Sequence, residues 1–164
     1  MKKAIFLLLA LPMLFVACGG SEDSNTSDVT DSDIQTAVAE VKVITIKGDD
    51  NMKFDLSEIT VKAGEPVKII LEHVGEMSID AMGHNFVLLN RGVDMAEFAT
   101  EAISAKDNDY IPAGREGDVI AHTTTIGGGE TTEVEFTAPE AGVYTFLCSF
   151  PGHSALMNGR FIVE

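Results

Sequence analysis

Near the C-terminus, Cys148-Ser149-Phe150-Pro151-Gly152-His153-Ser154-Ala155-Leu156-Met157 puts a thiol, an imidazole and a thioether within ten consecutive residues. Pro151-Gly152 is a chain-reversal signal that can turn all three side chains inward. Soft sulfur with imidazole suits copper. Two histidines, a cysteine and a weak axial methionine form the donor set of a blue-copper electron-transfer centre. The second imidazole must come from elsewhere, and His84 in Met82-Gly83-His84-Asn85-Phe86 supplies it at the mouth of an earlier strand. Cys-x4-His-x3-Met by itself is a loose pattern, equally readable as a buried cysteine, a turn histidine and a core methionine. Its setting sharpens it, because Cys148 has no other cysteine in the folded part to pair with.

The elements that must hold these residues are short and β-branched. Strands are expected at Val43–Ile46, Ile59–Val61, Val67–Leu71, Phe86–Leu89, Val119–Thr123, Glu133–Phe136, Val143–Leu147 and Phe161–Val163. Gly64-Glu65-Pro66, Gly127-Gly128-Gly129 and Pro139-Glu140-Ala141-Gly142 punctuate them. About eight such strands predict an all-β, antiparallel Greek-key sandwich over residues 41–164. One helix is expected from Met95 to about Ser104, with Asp94 as its N-cap and Met95, Phe98, Ala99 and Ala102 on one face.

The first 40 residues have a different character. Lys2 and Lys3 precede an unbroken apolar run, Ala4 to Ala17, which is short for a membrane span and suited to a secretory signal over residues 1–17. Phe15-Val16-Ala17-Cys18-Gly19 resembles a bacterial lipoprotein processing site, with Phe15 where leucine is usual. Lipidation of Cys18 is the expectation; ordinary signal cleavage leaving a free thiol is the alternative. Residues 18–40 are rich in Gly, Ser, Thr and acid without a basic residue, the composition of a disordered tether. Such a tether spans on the order of 25 Å. The expected location is therefore the bacterial cell envelope or periplasm, on a membrane anchor.

The net charge is −15. Removing residues 1–17 leaves nine basic against 26 acidic residues, a net charge of −17. This excludes a nucleic-acid partner, which needs lysine and arginine clusters. It serves solubility and leaves a basic redox partner open.

Met82-Gly83-His84-Asn85, Val119-Ile120-Ala121-His122-Thr123, Ile126-Gly127-Gly128-Gly129-Glu130 and Phe150 to Met157 together resemble the azurin branch of the cupredoxins, over about Val41 to Glu164. The resemblance implies one type 1 copper ion. His84, Cys148 and His153 would lie in its plane, with Met157 and the Gly83 carbonyl on its axis. It implies that the Phe150 backbone N–H points at the cysteine sulfur and that the Asn85 side chain ties the two ligand loops. It places His73 near the site as a titrating neighbour, where the residue pattern alone gives a packed strand-end histidine; His122 reads as a surface histidine. Met82, Met95, Pro151, Ala155 and Leu156, with Ala81 and Phe150, resemble the family's apolar patch for electron transfer, although ordinary core packing would also explain them. The implied partners are redox proteins such as c-type cytochromes or membrane respiratory complexes. The family's usual disulfide has no cysteines here, and Phe86 stands where tryptophan is common. The acidic linker and lipid signal are similar to those of membrane-tethered auracyanins.

A copper enzyme needs further clustered histidines to act on a small-molecule substrate, and only His73 and His122 remain, far apart in sequence. A dinuclear copper centre needs a second cysteine beside Cys148. The chain is thus read as an electron carrier, not an enzyme. Copper delivery or storage, using the same residues as an exchangeable site, is the rival function.

Overall fold

The computed structural model describes residues 40–164; the signal segment, Cys18 and the tether up to residue 39 lie outside the described residues. Nine strands form two sheets: Lys42–Asp49 (β1), Lys53–Phe54 (β2), Glu58–Val61 (β3), Pro66–His73 (β4), Val87–Leu89 (β5), Val119–His122 (β6), Thr131–Thr137 (β7), Gly142–Leu147 (β8) and Asn158–Val163 (β9). One sheet has the order β2-β1-β4-β7 and the other β3-β9-β8-β5-β6. The alternation behind this is clearest in β4, where Val67, Ile69, Leu71 and His73 are buried and the residues between them only partly so. Pro66 sits at the first position of β4, where a missing N–H costs least.

The expected sandwich is present, but the pairing is not purely antiparallel. β1 runs parallel to β4, with Ile44 opposite Ile69, and β3 runs parallel to β9, with Ile59 opposite Phe161. The chain leaves β1 through β2, enters the opposite sheet as β3 and returns as β4. Two strands separated by such a crossing meet running the same way. Every expected strand is found; the short β2 at the sheet edge is additional.

The main core lies between the sheets, with Ile46, Val67, Ile69 and Leu71 facing Phe86, Leu88, Phe146 and Phe161. A second cluster holds the long connection between β5 and β6 in place. There Phe98 packs with Val87, Leu89, Ile111 and Leu147. Phe98 belongs to helix α2, Met95–Ala102, where the Asp94 carboxylate accepts the N–H groups of Ala96 and Glu97 at 2.9 and 3.0 Å. A single helical turn, Ile79–Met82 (α1), was not expected; it delivers Gly83 and His84. Among the described residues no helix is long and apolar enough to cross a membrane.

Register gathers the important loops at one end. Val87 lies opposite Leu147 and His122, Leu147 opposite Asn158, and Gly48 opposite His73. The ends of β1, β4, β6 and β8 and the starts of β5, β7 and β9 therefore share that end.

Candidate metal centre

Cys148 follows directly on β8 and Met157 directly precedes β9, so the loop between them is closed by a strand pair. The Cys148 N–H continues the ladder by donating to the Met157 carbonyl at 2.9 Å. Within the loop the N–H groups of Leu156 and Met157 both donate to the His153 carbonyl, at 2.9 and 2.8 Å, tightening the turn. Gly152 sits at φ +83°, a left-handed conformation that glycine adopts without strain. His84 precedes β5, the strand paired with β8 in the same sheet, and is held by paired backbone bonds with Ile126, each 2.9 Å.

These elements bring His84, Cys148 and His153 together. Cys148 Sγ is 4.0 Å from His84 Nδ1 and 3.7 Å from His153 Nδ1, and all three donor atoms lie within 4.8 Å of one another. A point equidistant from them is about 2.2–2.5 Å from each, close to the reach of metal–nitrogen and metal–sulfur bonds. His84 Nε2 donates to the Asp49 carbonyl at 3.0 Å, which leaves the Nδ1 lone pair facing the sulfur. The Gly83 carbonyl oxygen is 3.9 Å from the same sulfur. Met157 is fully buried, and its methyl group lies on the Gly48 side of the His84 ring. Thiol, two correctly oriented imidazoles and a buried thioether fit a single type 1 copper ion.

Burial sets the charge state of these groups in the metal-free protein. It pushes the Cys148 thiol up to about 12, against the opposing pull of the backbone N–H groups of Asn85 and Phe150. It lowers His153 to about 4, helped by the neighbouring His84. His84 is lowered for the same primary reason, with the bond to the Asp49 carbonyl working against the shift.

The surroundings of the ligands are equally specific. Fully buried Asn85 donates through Nδ2 to the Asp109 carbonyl at 2.7 Å and to Ser149 Oγ at 2.8 Å, and its Oδ1 accepts the Ser149 N–H at 2.8 Å. It thereby ties the His84 segment to the Cys148 segment. Phe150 packs its ring 4.6 Å from that of His153 and 5.1 Å from Tyr110. On the loop of His153, which is 3% exposed, Pro151 is half-buried, Ala155 is exposed and Leu156 is 60% exposed; Met82, next to Gly83, is half-buried. Met95 is placed differently. It packs on the Phe98 cluster and lines a groove with Ser57, Glu58, Thr145 and Arg160. His73 is buried and stacks on His84 with ring centroids 4.2 Å apart; its Nε2 donates to the Met82 carbonyl and its Nδ1 accepts the Gly75 N–H. His122 is exposed and lies outside the donor cluster.

Several contributors were not anticipated. Gly48 is one: a Cβ there would stand 2.7 Å from the His84 ring and 3.3 Å from the Met157 methyl. At Gly83, expected only for its carbonyl, a Cβ would meet the Phe150 ring at 2.7 Å. Asp49 and Asp109 act through backbone carbonyls, which no residue pattern reveals. Exposed Met77, Ile79 and Ile103 add apolar surface on the connections leading to the site.

Comparison with known proteins agrees with this geometry. The family model of copper binding proteins, plastocyanin/azurin family, matches residues 39–164. The azurin of Alcaligenes faecalis is 43% identical over 121 residues, covering 71% of this chain and 93% of that protein. Outer membrane protein H.8 of Neisseria gonorrhoeae is 39% identical over 119 residues, covering 71% of this chain and 64% of its own length. Among solved structures, auracyanin A, a "blue" copper protein from Chloroflexus aurantiacus, aligns with a TM-score of 0.69 at 34% identity over 76% of this chain and 100% of its own.

Proposed function

The chain belongs to the plastocyanin/azurin family of copper-binding proteins, and on that premise we propose that it carries single electrons between redox proteins. Copper would be held by His84, Cys148 and His153, with Met157 and the Gly83 carbonyl as axial neighbours. The metal, when bound, supplies a one-electron couple.

The observation that carries this reading is the burial and mutual bonding of the donor set. His84, Cys148 and Met157 are fully buried, and His153 is only 3% exposed. Donors fixed by Asp49, Asn85 and the β8–β9 ladder keep their places when the metal changes charge, so the protein reorganises little. Two N–H groups directed at the sulfur stabilise its negative charge. Of the four side-chain donors only His153 has any exposure, and the uncharged rim of Pro151, Ala155 and Leu156 on its loop suits brief encounters. The same burial disfavours copper delivery, which needs ligands that a receiving protein can reach.

This reading includes export and a lipid anchor at Cys18, with residues 18–40 as a leash. It is supported by the Lys2-Lys3 start, the apolar run and Cys18-Gly19, and by the outer-membrane name of one relative. The partners would be c-type cytochromes or membrane respiratory complexes. The test is a redox cycle on the copper-loaded protein in the presence of a modest chelator. Colour that bleaches with a mild reductant and returns on reoxidation, with copper retained, supports electron transfer. Prompt loss of copper to the chelator overturns it in favour of delivery.

A further inference from the structure

Charge is distributed unevenly around the metal end. The four connections there are residues 50–52, 74–86, 123–130 and 148–157. They carry four carboxylates, Asp50, Glu76, Asp80 and Glu130, and no lysine or arginine. The last of them, which surrounds His153, has no charged side chain at all. Two cations adjoin these connections: Lys53, directly after residues 50–52, lies opposite Asp49, and Lys106 is paired with Asp80 at 2.7 Å. Asp107 next to Lys106 is a further exposed acid. The apolar residues Met82, Pro151, Ala155 and Leu156 thus share the metal end with an excess of carboxylates over cations.

We infer that the redox partner of this face is a basic protein, whose lysines or arginines ring an apolar contact around its own electron port. The inference rests on the electron-carrier reading and specifies the partner that reading leaves open. An uncharged centre lets the two proteins approach without stripping water from ions. A margin with an excess of one sign orients the encounter and raises its rate, by about 10- to 1000-fold for well-matched surfaces. A neutral or acidic partner gains nothing from this margin.

The test uses the copper-loaded protein and horse heart cytochrome c, a lysine-rich redox probe, alongside the same cytochrome with its lysines succinylated to carboxylates. The bimolecular rate with the basic form should fall at least about tenfold between roughly 10 mM and 300 mM salt, as the Debye length shrinks. With the succinylated form it should start lower and rise with salt. Glu76→Lys, in the margin, should slow the basic form by about five- to tenfold at low salt. Glu140→Lys makes the same charge change on the β7–β8 connection at the far end and should stay within about twofold. Equal effects of the two variants would reduce the claim to net charge and overturn the docking face. Rates indifferent to salt and to succinylation would overturn the basic partner while ascorbate still bleached the protein. A protein that no small reductant bleached would overturn the electron-carrier reading itself.

Discussion

Asn85→Ala tests whether one buried amide holds the two ligand segments together. The substitution deletes three hydrogen bonds, to the Asp109 carbonyl, Ser149 Oγ and the Ser149 N–H, all at 2.7–2.8 Å. Each is worth about 1 kcal/mol net, and the Ser149 N–H left unpaired in a buried place adds about 1–3 kcal/mol. The metal-free domain should therefore lose about 4–6 kcal/mol. With a slope of about 4 kcal/mol/M in guanidinium chloride, the unfolding midpoint falls by about 1–1.5 M. Ser149→Ala removes only one of the three bonds and should cost about 1 kcal/mol. Because its partner is already gone in Asn85→Ala, the double variant should be scarcely less stable than Asn85→Ala alone. The assay is equilibrium denaturation of the metal-free protein followed by circular dichroism. A loss under about 1 kcal/mol for Asn85→Ala, or fully additive single variants, would refute the claim that this amide is the tie.

Copper binding should be linked to pH through Cys148. With the thiol at about 12 and His153 at about 4, the metal-free site near neutrality holds one dissociable proton, on sulfur. Cupric binding then releases about one proton per chain, and affinity rises about tenfold per pH unit between roughly pH 6 and 10; a pH-stat titration releasing none would contradict the thiolate ligand. Below about pH 5, release from His153 should add to this and steepen the dependence. The metal-free fold should weaken as pH falls from the unfolded histidine value near 6.5 towards about 4, because His153 takes up its proton in the unfolded chain first; a denaturation midpoint flat across that range would count against it. Gly48→Ala should displace the His84 ring and Met157 methyl, costing about 1–3 kcal/mol and shifting the visible band and potential, while Gly117→Ala, which meets nothing within 4 Å, should leave both unchanged. Cys18→Ser should release the protein from membranes in cell fractionation, and continued attachment would argue against the lipid anchor.

What could be read without coordinates was local. The eight longer strands announce themselves by β-branched runs between turn residues, and Asp94 marks the start of α2 by its capping chemistry. The Cys148–Met157 loop is legible because its donors are neighbours in sequence. Strand direction was not legible: nothing in Ile44 or Ile69 states whether their strands run together. Lys53–Phe54 is too short to show a period, and α1 has no side-chain cap to signal it. Gly48, Asp49 and Asp109 escaped because they act by lacking a side chain or through carbonyl groups. Met95 was assigned by type and neighbourhood; its packing on the Phe98 cluster is visible only in the fold. His73 was readable as packed, but its stacking on His84, from a segment before β5, is visible only in the fold.

The most direct measurement is a titration of the metal-free protein with cupric ion, read by visible absorption and by metal retained after desalting. A single thiolate between two imidazoles predicts saturation at one copper per chain, with an intense charge-transfer band that Cys148→Ser abolishes while the sandwich stays folded. A band that survives in Cys148→Ser, or a wild-type protein that retains no copper, would contradict the site described by His84, Cys148 and His153.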